Sequence, residues 1–283
     1  MVYIPVLGAL ALGGGTVLEK SILKKKKIGI KLYQTASFLA ITLATLPFLY
    51  FFWKLDAGAF ELKNILIFLG VIASSITANL FVFYSLKWEK VTNLEPARIL
   101  EPLFTILLAV VFSFFTQGLY EQNLEIIIPA IIASVALIFP HIKKHHLQIN
   151  KYIIAAILGS FFFALELILS RLILDFYSPM TFYFFRCISI FIISLVVFRP
   201  NFKTLDKKIS LMIFITGAVW VIYRVALYFG YLSLGVVSTT LVIMLGPIFV
   251  YLLAWIFLKE KLNWKNVVSA VIIAGCVLYA ILE

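Results

Sequence analysis

The sequence predicts an all-α integral membrane protein with ten transmembrane helices. Of its 283 residues, 63% are hydrophobic and only 13% are charged, whereas a soluble domain has roughly 25% charged residues. The apolar residues form blocks of about twenty, which is the length of helix that crosses a bilayer core. Ten such helices use about three quarters of the chain, so there is no room for a separate soluble domain.

Short polar linkers separate the predicted helices. The first apolar block, Val2 to Leu23, has no basic stretch before it and no small-residue cleavage site after it. We therefore interpret it as a retained helix rather than a signal peptide. Trp53, Trp88 and Trp264 stand at helix ends, as expected for the aromatic belt of a membrane interface. The predicted helices span residues 2–23, 32–53, 64–86, 93–115, 124–140, 152–173, 179–198, 209–231, 236–258 and 266–282.

Lysines concentrate in alternate linkers, those after the odd-numbered helices. The linker after the first helix holds Lys24–Lys27 and Lys31, whereas the linker after the second holds only Lys54 and Lys63. The positive-inside rule places the lysine-rich linkers in the cytoplasm. Both termini are then predicted on the non-cytoplasmic side of a cell membrane. The net charge of +11 is explained by this topology, and no nucleic acid partner is expected.

The residue types that build redox, metal and nucleotide sites are missing or badly placed. Cys187 and Cys276 both lie inside apolar segments, which disfavours a disulfide or a metal site. The histidines fall in the linker HIKKHHLQIN, which begins at His141 and has no metal-ligand geometry. There is no nucleotide-binding glycine loop, HExxH or GxSxG motif. We therefore expect no catalytic residue, no metal and no cofactor.

The chain also repeats itself. When Pro102 is aligned with Pro247, LEPLFTILLAVVFSFF lies over LGPIFVYLLAWIFLKE, and Asn79 falls on Arg224. Each repeat then contains five helices, in residues 1–140 and 152–283. Because five is odd, the two repeats must cross the membrane in opposite senses, and the lysine distribution agrees. Inverted repeats of this kind are typical of secondary transporters, whose solute site lies at the repeat interface.

The stretch GYLSLGVVSTTLVIMLGPIFVYLLAWIFLKEKLNWKNVVSAVIIAGCVL, from Gly230 to Leu278, resembles the second-repeat signature of the EamA-type transporters in the drug/metabolite transporter superfamily. The first repeat matches less closely, with Phe115 where the second has Glu260. The resemblance implies a ten-helix basket in which helices 1, 3, 4, 6, 8 and 9 surround a central cavity, while helices 5 and 10 are peripheral. It also implies export or exchange of small metabolites, often amino acids, by alternating access.

Two charged residues lie in the middle of predicted helices. A charge at the centre of a bilayer costs about 2.5–3.5 kcal/mol on insertion scales, so such residues face a cavity or a partner. Glu166 is either a carboxylate that titrates or binds a cation, or a structural partner of Arg186 or Arg224. Arg224 is either part of a solute-binding wall or a structural counter-ion within an aromatic stripe. The proposed substrate-binding set is Arg224, Trp220, Tyr223, Tyr228, Asn79, Glu166 and Ser75.

A second group of polar and helix-breaking residues lies in the fourth and ninth helices. Glu95, Arg98 and Glu101 are spaced so that neighbours meet on one helix surface. We interpret them as a self-neutralising network in the vestibule, with a gate or solute contact as the alternative. Pro102 and Pro247 interrupt backbone hydrogen bonds and are candidate hinges.

Other charged residues are interpreted as structural. Arg186 is close enough to a helix end to extend its guanidinium toward the interface. Glu19 and Lys20 are interpreted as anchors at the membrane surface.

Taken together, these features favour a secondary transporter of small solutes, with an amino acid exporter as the leading hypothesis. The alternatives are a carrier of nucleotide sugars or phosphorylated solutes, a membrane-embedded lipid enzyme, and a channel or scaffold. The expected partners are a small-molecule solute and the lipid bilayer, and Glu166 motivates the hypothesis of proton or ion coupling. Because both repeats occur in one chain, a monomer can be complete.

Overall fold

The computed structural model describes residues 3–25, 27–98, 100–116, 118–120, 123–138, 150–258 and 264–282. Helices make up nearly all of these residues, and the described ranges contain no β-strand, only an isolated bridge between Leu55 and Tyr177. Six helices are long and apolar enough to cross a membrane, and shorter apolar helices accompany them. The prediction of an all-helical, multi-pass membrane protein is therefore confirmed.

The helix bounds follow the predicted segments closely. Most helix termini coincide with the predicted ones or extend beyond them by one or two residues. The helices are α1 Tyr3–Leu23, α2 Ile30–Phe52, α3 Leu62–Trp88, α4 Val91–Arg98, α5 Leu100–Ser113, α6 Leu124–Ile138, α7 Lys151–Ile173, α8 Pro179–Phe198, α9 Lys207–Ser233, α10 Val236–Ile243, α11 Gly246–Leu258 and α12 Trp264–Leu282.

The predicted ninth helix is not continuous. It is divided into α10 and α11 by a turn at Met244 and Leu245. Pro247 has no backbone N–H to donate, and its ring would collide with the carbonyl of Ile243 in a straight helix. The prediction of one helix over 236–258 is therefore wrong in this respect, although Pro247 was the residue expected to interrupt it. In the first half, α4 and α5 lie on either side of Ile99, which is outside the described residues.

The helices pack in a few close pairs. α3 lies against α7, α1 against α9, and α2 against α8, while α5 packs on α7 and α11 packs on α1. α6 and α12 pack on each other. Large apolar side chains such as Phe51, Val196 and Val197 are exposed on the outer surface, where lipid would cover them.

Contacts between linkers define the two ends of the bundle. At the lysine-rich end, Lys87 bonds to the carbonyl of Ile28, and Asn150 donates to the Glu89 carboxylate over 3.3 Å. This end comprises the C-termini of α1, α3 and α8 and the N-termini of α2, α7 and α9. At the opposite end, Lys54 Nζ donates to the carbonyl of Asp175 over 3.0 Å. The described linkers that are rich in lysine thus lie together at one end of the fold.

One glycine of α1 marks a close approach between α1 and α11. A Cβ at Gly13 would lie 3.0 Å from the Cβ of Phe249 and 3.2 Å from the backbone N of Val250 in α11. At the neighbouring Gly14, the nearest atom would be a methyl group of Val219 at 4.0 Å. The backbones of α1 and α11 can therefore meet only if residue 13 has no side chain.

We expect Gly13→Ala to lower the free energy of unfolding by about 1–3 kcal/mol, since the added methyl group overpacks the α1–α11 contact. Gly14→Ala is the matched control and should leave stability unchanged or raise it by up to about 1 kcal/mol through helix propensity. Thermal unfolding in detergent micelles measures both variants. Equal destabilisation by the two would contradict the assignment of this contact.

Candidate functional site

Glu166 lies between two arginines inside the helical bundle. Its Oε1 is 3.3 Å from Nε of Arg186, and its Oε2 is 3.0 Å from Nη1 of Arg224. All three side chains are buried. α7, α8 and α9 contribute one residue each, and each residue lies about two turns or more from its helix end. The two structural partners suggested for Glu166 by the sequence are thus both present at once.

Glu166, Arg186 and Arg224 form a buried triad. Hydroxyl groups supply further hydrogen bonds to it. Tyr228 donates to Glu166 Oε1 over 2.9 Å and accepts from Arg186 over 3.1 Å. Ser170 donates to the same carboxylate oxygen over 3.1 Å. Arg186 also donates to Ser75 Oγ over 2.6 Å, which links α8 to α3. The arrangement is that of an ion-pair network, not of an isolated carboxylate.

The triad corrects two expectations about individual residues. Arg186 does not reach toward the interface, because only 2% of it is exposed and its guanidinium is held by Glu166, Tyr228 and Ser75. Ser75 was expected on the cavity wall, but it is bound to Arg186 and does not line either central cavity.

Aromatic rings hold Arg224 in place. Its guanidinium carbon lies 5.2 Å from the ring centre of Phe163 and 5.4 Å from that of Tyr223. Tyr223 in turn packs edge-on against Trp220, with ring centres 5.3 Å apart. Cation–π contacts of this kind are strongest where water is excluded. The aromatic surroundings expected for Arg224 are therefore present, with Phe163 of α7 as an additional ring.

A first central cavity lies beside Arg224 and extends toward the lysine-rich end. Its free volume is about 40 Å³, and charged side chains from four helices line it: Glu19 of α1, Arg98 of α4, Arg186 of α8 and Arg224 of α9. Asn79 and Trp220 lie on its wall, as expected from the repeat alignment. Sequence reasoning missed Ser37, Phe38 and Ile41 of α2, because this helix carries no charge that would have pointed to a cavity.

A second central cavity lies on the other side of Arg98. It has a free volume of about 50 Å³. Both proposed hinge prolines, Pro102 and Pro247, lie on its wall together with Glu101, Arg98 and Tyr223. The guanidinium of Arg98 donates to Thr16 Oγ1 of α1 over 3.3 Å. Arg98 thus separates the two cavities and contacts both.

Glu19 belongs to this site, which contradicts its interpretation as a surface anchor. It is only 4% exposed and lines the first cavity. Tyr33 of α2 donates to its carboxylate over 3.5 Å, and Arg98 interacts with it electrostatically. The ammonium group of Lys20 donates to the backbone carbonyl of Leu86 in α3 over 2.6 Å, and its role as a surface anchor stays a prediction. Successive residues lie about 100° apart around a helix, so Glu19 lines the cavity while Lys20 bonds to α3, a difference that their charges in the sequence do not show.

Among the side chains that the structure describes, three arginines and three glutamates lie at the triad and the two central cavities. Arg98, Arg186 and Arg224 face Glu19, Glu101 and Glu166, and Glu101 interacts electrostatically with both Arg224 and Arg98. Two members of the expected Glu95–Arg98–Glu101 network therefore also interact with other helices: Arg98 with Glu19 of α1, and Glu101 with Arg224 of α9. The side chain of Glu95, and the whole of Glu260, lie outside the described residues. The described residues also contain no group of three His, Cys, Asp or Glu side chains arranged to hold a metal ion.

We expect Glu166→Gln to lower the free energy of unfolding by about 3–5 kcal/mol, because it leaves two buried guanidinium groups without their carboxylate. Asp175→Asn is the matched control. Asp175 lies just beyond the same helix, is paired with Arg171 at 2.8 Å and is 58% exposed, so its loss should cost about 1 kcal/mol or less. Chemical unfolding in detergent micelles compares the two. A Glu166→Gln variant as stable as the control would show that the triad does not hold the helices together.

Comparison with solved structures finds proteins that share this fold. Twenty-seven chains of solved structures match, and one of them, titled only as the crystal structure of a protein, has a TM-score of 0.70. That match covers 99% of this chain and 98% of the other at 15% identity, which shows a shared fold and nothing more. No curated protein sequence matches the chain.

A family model supplies the assignment. Residues 150–282 match the model described as the EamA-like transporter family. The matched segment holds Glu166, Arg186 and Arg224, together with the signature stretch from Gly230. This segment is just under half of the chain and is similar to the EamA-like transporters, which are part of the drug/metabolite transporter superfamily. Together with the apolar helices, the match indicates a multi-pass membrane transporter.

Proposed function

We propose that the protein is a secondary transporter that exports amino acids or related small metabolites by alternating access. The observation that carries this proposal is the balanced set of interior charges around the two central cavities. An amino acid carries one carboxylate and one ammonium group, so it can exchange partners with such a set without changing its net charge. Its carboxylate would bind Arg98 or Arg224, and its ammonium group would bind Glu19 or Glu101.

The helix contacts support two inverted repeats, α1–α6 in residues 1–140 and α7–α12 in residues 152–283. In the proposed alignment, α1 corresponds to α7 and α3 corresponds to α9. The close pair α1–α9 is then equivalent to the close pair α7–α3, and α1–α11 is equivalent to α7–α5. A two-fold axis in the membrane plane would produce these pairs, and it would place the solute site where the halves meet.

The small volume of the cavities supports alternating access. Ligand sites for small molecules have volumes of about 300–1,000 Å³, whereas the two cavities have about 40 and 50 Å³. A solute can therefore enter only when helices separate. The turn between α10 and α11 and the prolines at 102 and 247 lie beside the second cavity, so they are the proposed hinges.

A carrier of nucleotide sugars or phosphorylated solutes is less well supported. Such solutes bring two or more negative charges without a positive one, and they need cations that are not already matched. Arg186 and Arg224 both contact Glu166, and Glu101 interacts with Arg224 and Arg98. A membrane-embedded enzyme is also disfavoured, because the family consists of transporters.

We expect Arg224→Ala to reduce transport at least tenfold while the protein still inserts and folds. Glu166 keeps Arg186 as a partner in this variant, so the buried carboxylate stays paired. Purified protein in vesicles, tested for counterflow with a panel of labelled amino acids, a nucleotide sugar and a sugar phosphate, measures both activity and substrate class. Arg171→Ala, which removes an arginine near the C-terminus of α7 that lines neither central cavity, is the matched control and should transport normally.

Two outcomes would contradict this assignment. Transport by Arg224→Ala at the level of the Arg171→Ala control would exclude Arg224 from solute binding. Counterflow of the phosphorylated solutes with none of the amino acids would exclude the proposed substrate class.

The coupling hypothesis is tested in the same vesicles by applying a pH gradient to the unmodified protein and to Glu166→Gln. If the gradient drives both equally, Glu166 does not couple transport to protons.

The direction of export requires the lysine-rich end to face the cytoplasm, as the positive-inside rule proposes. We expect a cysteine at Glu61 to react with a membrane-impermeant maleimide in intact cells. A cysteine at Lys203 should react only after the membrane is permeabilised. Both positions are exposed, and they lie at opposite ends of the bundle. The reverse pattern would invert the topology, and a variant without Cys187 and Cys276 controls for background.

A further inference from the structure

A large groove opens on the outer surface at the lysine-rich end, away from the central cavities. It lies where the N-terminus of α2 faces α3 and the N-terminus of α7, and its free volume is about 690 Å³. This volume is in the range of ligand sites and exceeds that of either central cavity more than tenfold. The groove exists because α2 packs mainly on α8 and α9 whereas α3 packs mainly on α7, which leaves a seam between the two pairs.

The groove has an apolar wall and a cationic mouth. Leu80, Phe81, Ile154 and Leu158 contribute much of the wall. The charged residues on its lining are Lys31 and Lys151, and no carboxylate lines it within the described part of the chain. Tyr84 adds a hydroxyl group at the same level.

The two lysines are available to an anion. Lys31 Nζ lies 5.7 Å from the ring centre of Phe198, and Lys151 Nζ lies 5.3 Å from that of Tyr152. Among the described residues, neither ammonium group forms a salt bridge. The nearby Glu89 carboxylate accepts a hydrogen bond from Asn150 and is not part of the lining. Both lysines are exposed.

The vertical arrangement matches the layers of a membrane. Leu158 is seven residues from Lys151 along α7, so it lies about 10 Å deeper. Trp88, one turn beyond Tyr84 on α3, is 59% exposed, as expected for a side chain at the head-group level. The mouth of the groove is therefore at the depth of lipid phosphates, and its floor is at the depth of acyl chains.

We propose that this groove binds one anionic phospholipid, with its phosphate between Lys31 and Lys151 and an acyl chain along the wall of α3 and α7. Basic pockets between transmembrane helices on the cytoplasmic side bind anionic head groups. A soluble phosphate would satisfy the lysines but would leave the apolar wall uncovered, so the lipid is the occupant that fits both parts. The bound lipid would join α2 to α3 and α7 across the seam.

The test compares lipid binding to purified protein by native mass spectrometry in an equimolar mixture of dioleoylphosphatidylglycerol and dioleoylphosphatidylcholine. We expect one phosphatidylglycerol molecule to be retained in preference to phosphatidylcholine. The double variant Lys31→Ala and Lys151→Ala should lower its affinity about twenty-five-fold, since each lysine near the surface contributes roughly fivefold. The matched control, Lys203→Ala with Lys207→Ala, removes two exposed lysines at the same end outside the groove and should bind normally.

A second pair of variants tests the apolar wall. Leu158→Trp fills the groove without changing charge and should reduce retention of phosphatidylglycerol, whereas Val196→Trp, on the exposed surface of α8, should not. Loss with the lysine pair but not with Leu158→Trp would reduce the site to a surface charge contact and overturn the proposal. If millimolar inorganic phosphate displaced phosphatidylglycerol, the groove would be a site for anions and not for a lipid, and the proposal would be overturned. An unaffected lysine double variant would also overturn the proposal.

Discussion

Pairing of buried charge is the constraint on which the interior of this protein depends. An unpaired arginine or glutamate at the centre of a membrane costs about 2.5–3.5 kcal/mol on insertion scales, and the triad places three such residues in contact. Glu166 is the common partner of Arg186 and Arg224, so α7, α8 and α9 cannot rotate independently. The bond from Arg186 to Ser75 extends this restraint to α3. The triad therefore fixes the second half and attaches it to the first.

The pairing of positive and negative side chains also determines how the charges around the central cavities can interact. Buried ion pairs add little net stability compared with apolar packing of the same volume. In the function proposed above, their value lies in the ability to exchange partners. Arg98 separates the two central cavities and interacts with Glu19 on one side and Glu101 on the other. If a zwitterionic solute replaced one of these partners, the remaining charges could still be paired. Closed and open arrangements would then differ little in electrostatic energy.

The sequence predicted the charged residues better than their partners. Glu166 and Arg224 were identified because a charge within twenty apolar residues has few explanations. Arg186 and Arg224 were alternative partners for Glu166. That both contact it at once depends on how each helix is rotated about its axis, which a single sequence does not specify. Glu19 was misjudged because only four residues separate it from the lysines of the first linker. Helix α2 was not expected at the cavity, since Ser37, Phe38 and Ile41 carry no charge that distinguishes them from packing residues.

The small central cavities and the outer groove between α2 and α3 both result from the way the helices pack in close pairs. Glycines such as Gly13 let α1 and α11 touch backbone to backbone, and the same close packing leaves only about 40 and 50 Å³ in the two central cavities. Helices that pack this closely on one partner must leave space beside another, and the groove between α2 and α3 is such a space. In the alternating-access cycle proposed above, movement that opens the centre to a solute would change the spacing of these pairs. A lipid that occupies the seam would therefore act on the same helix separation that solute entry requires.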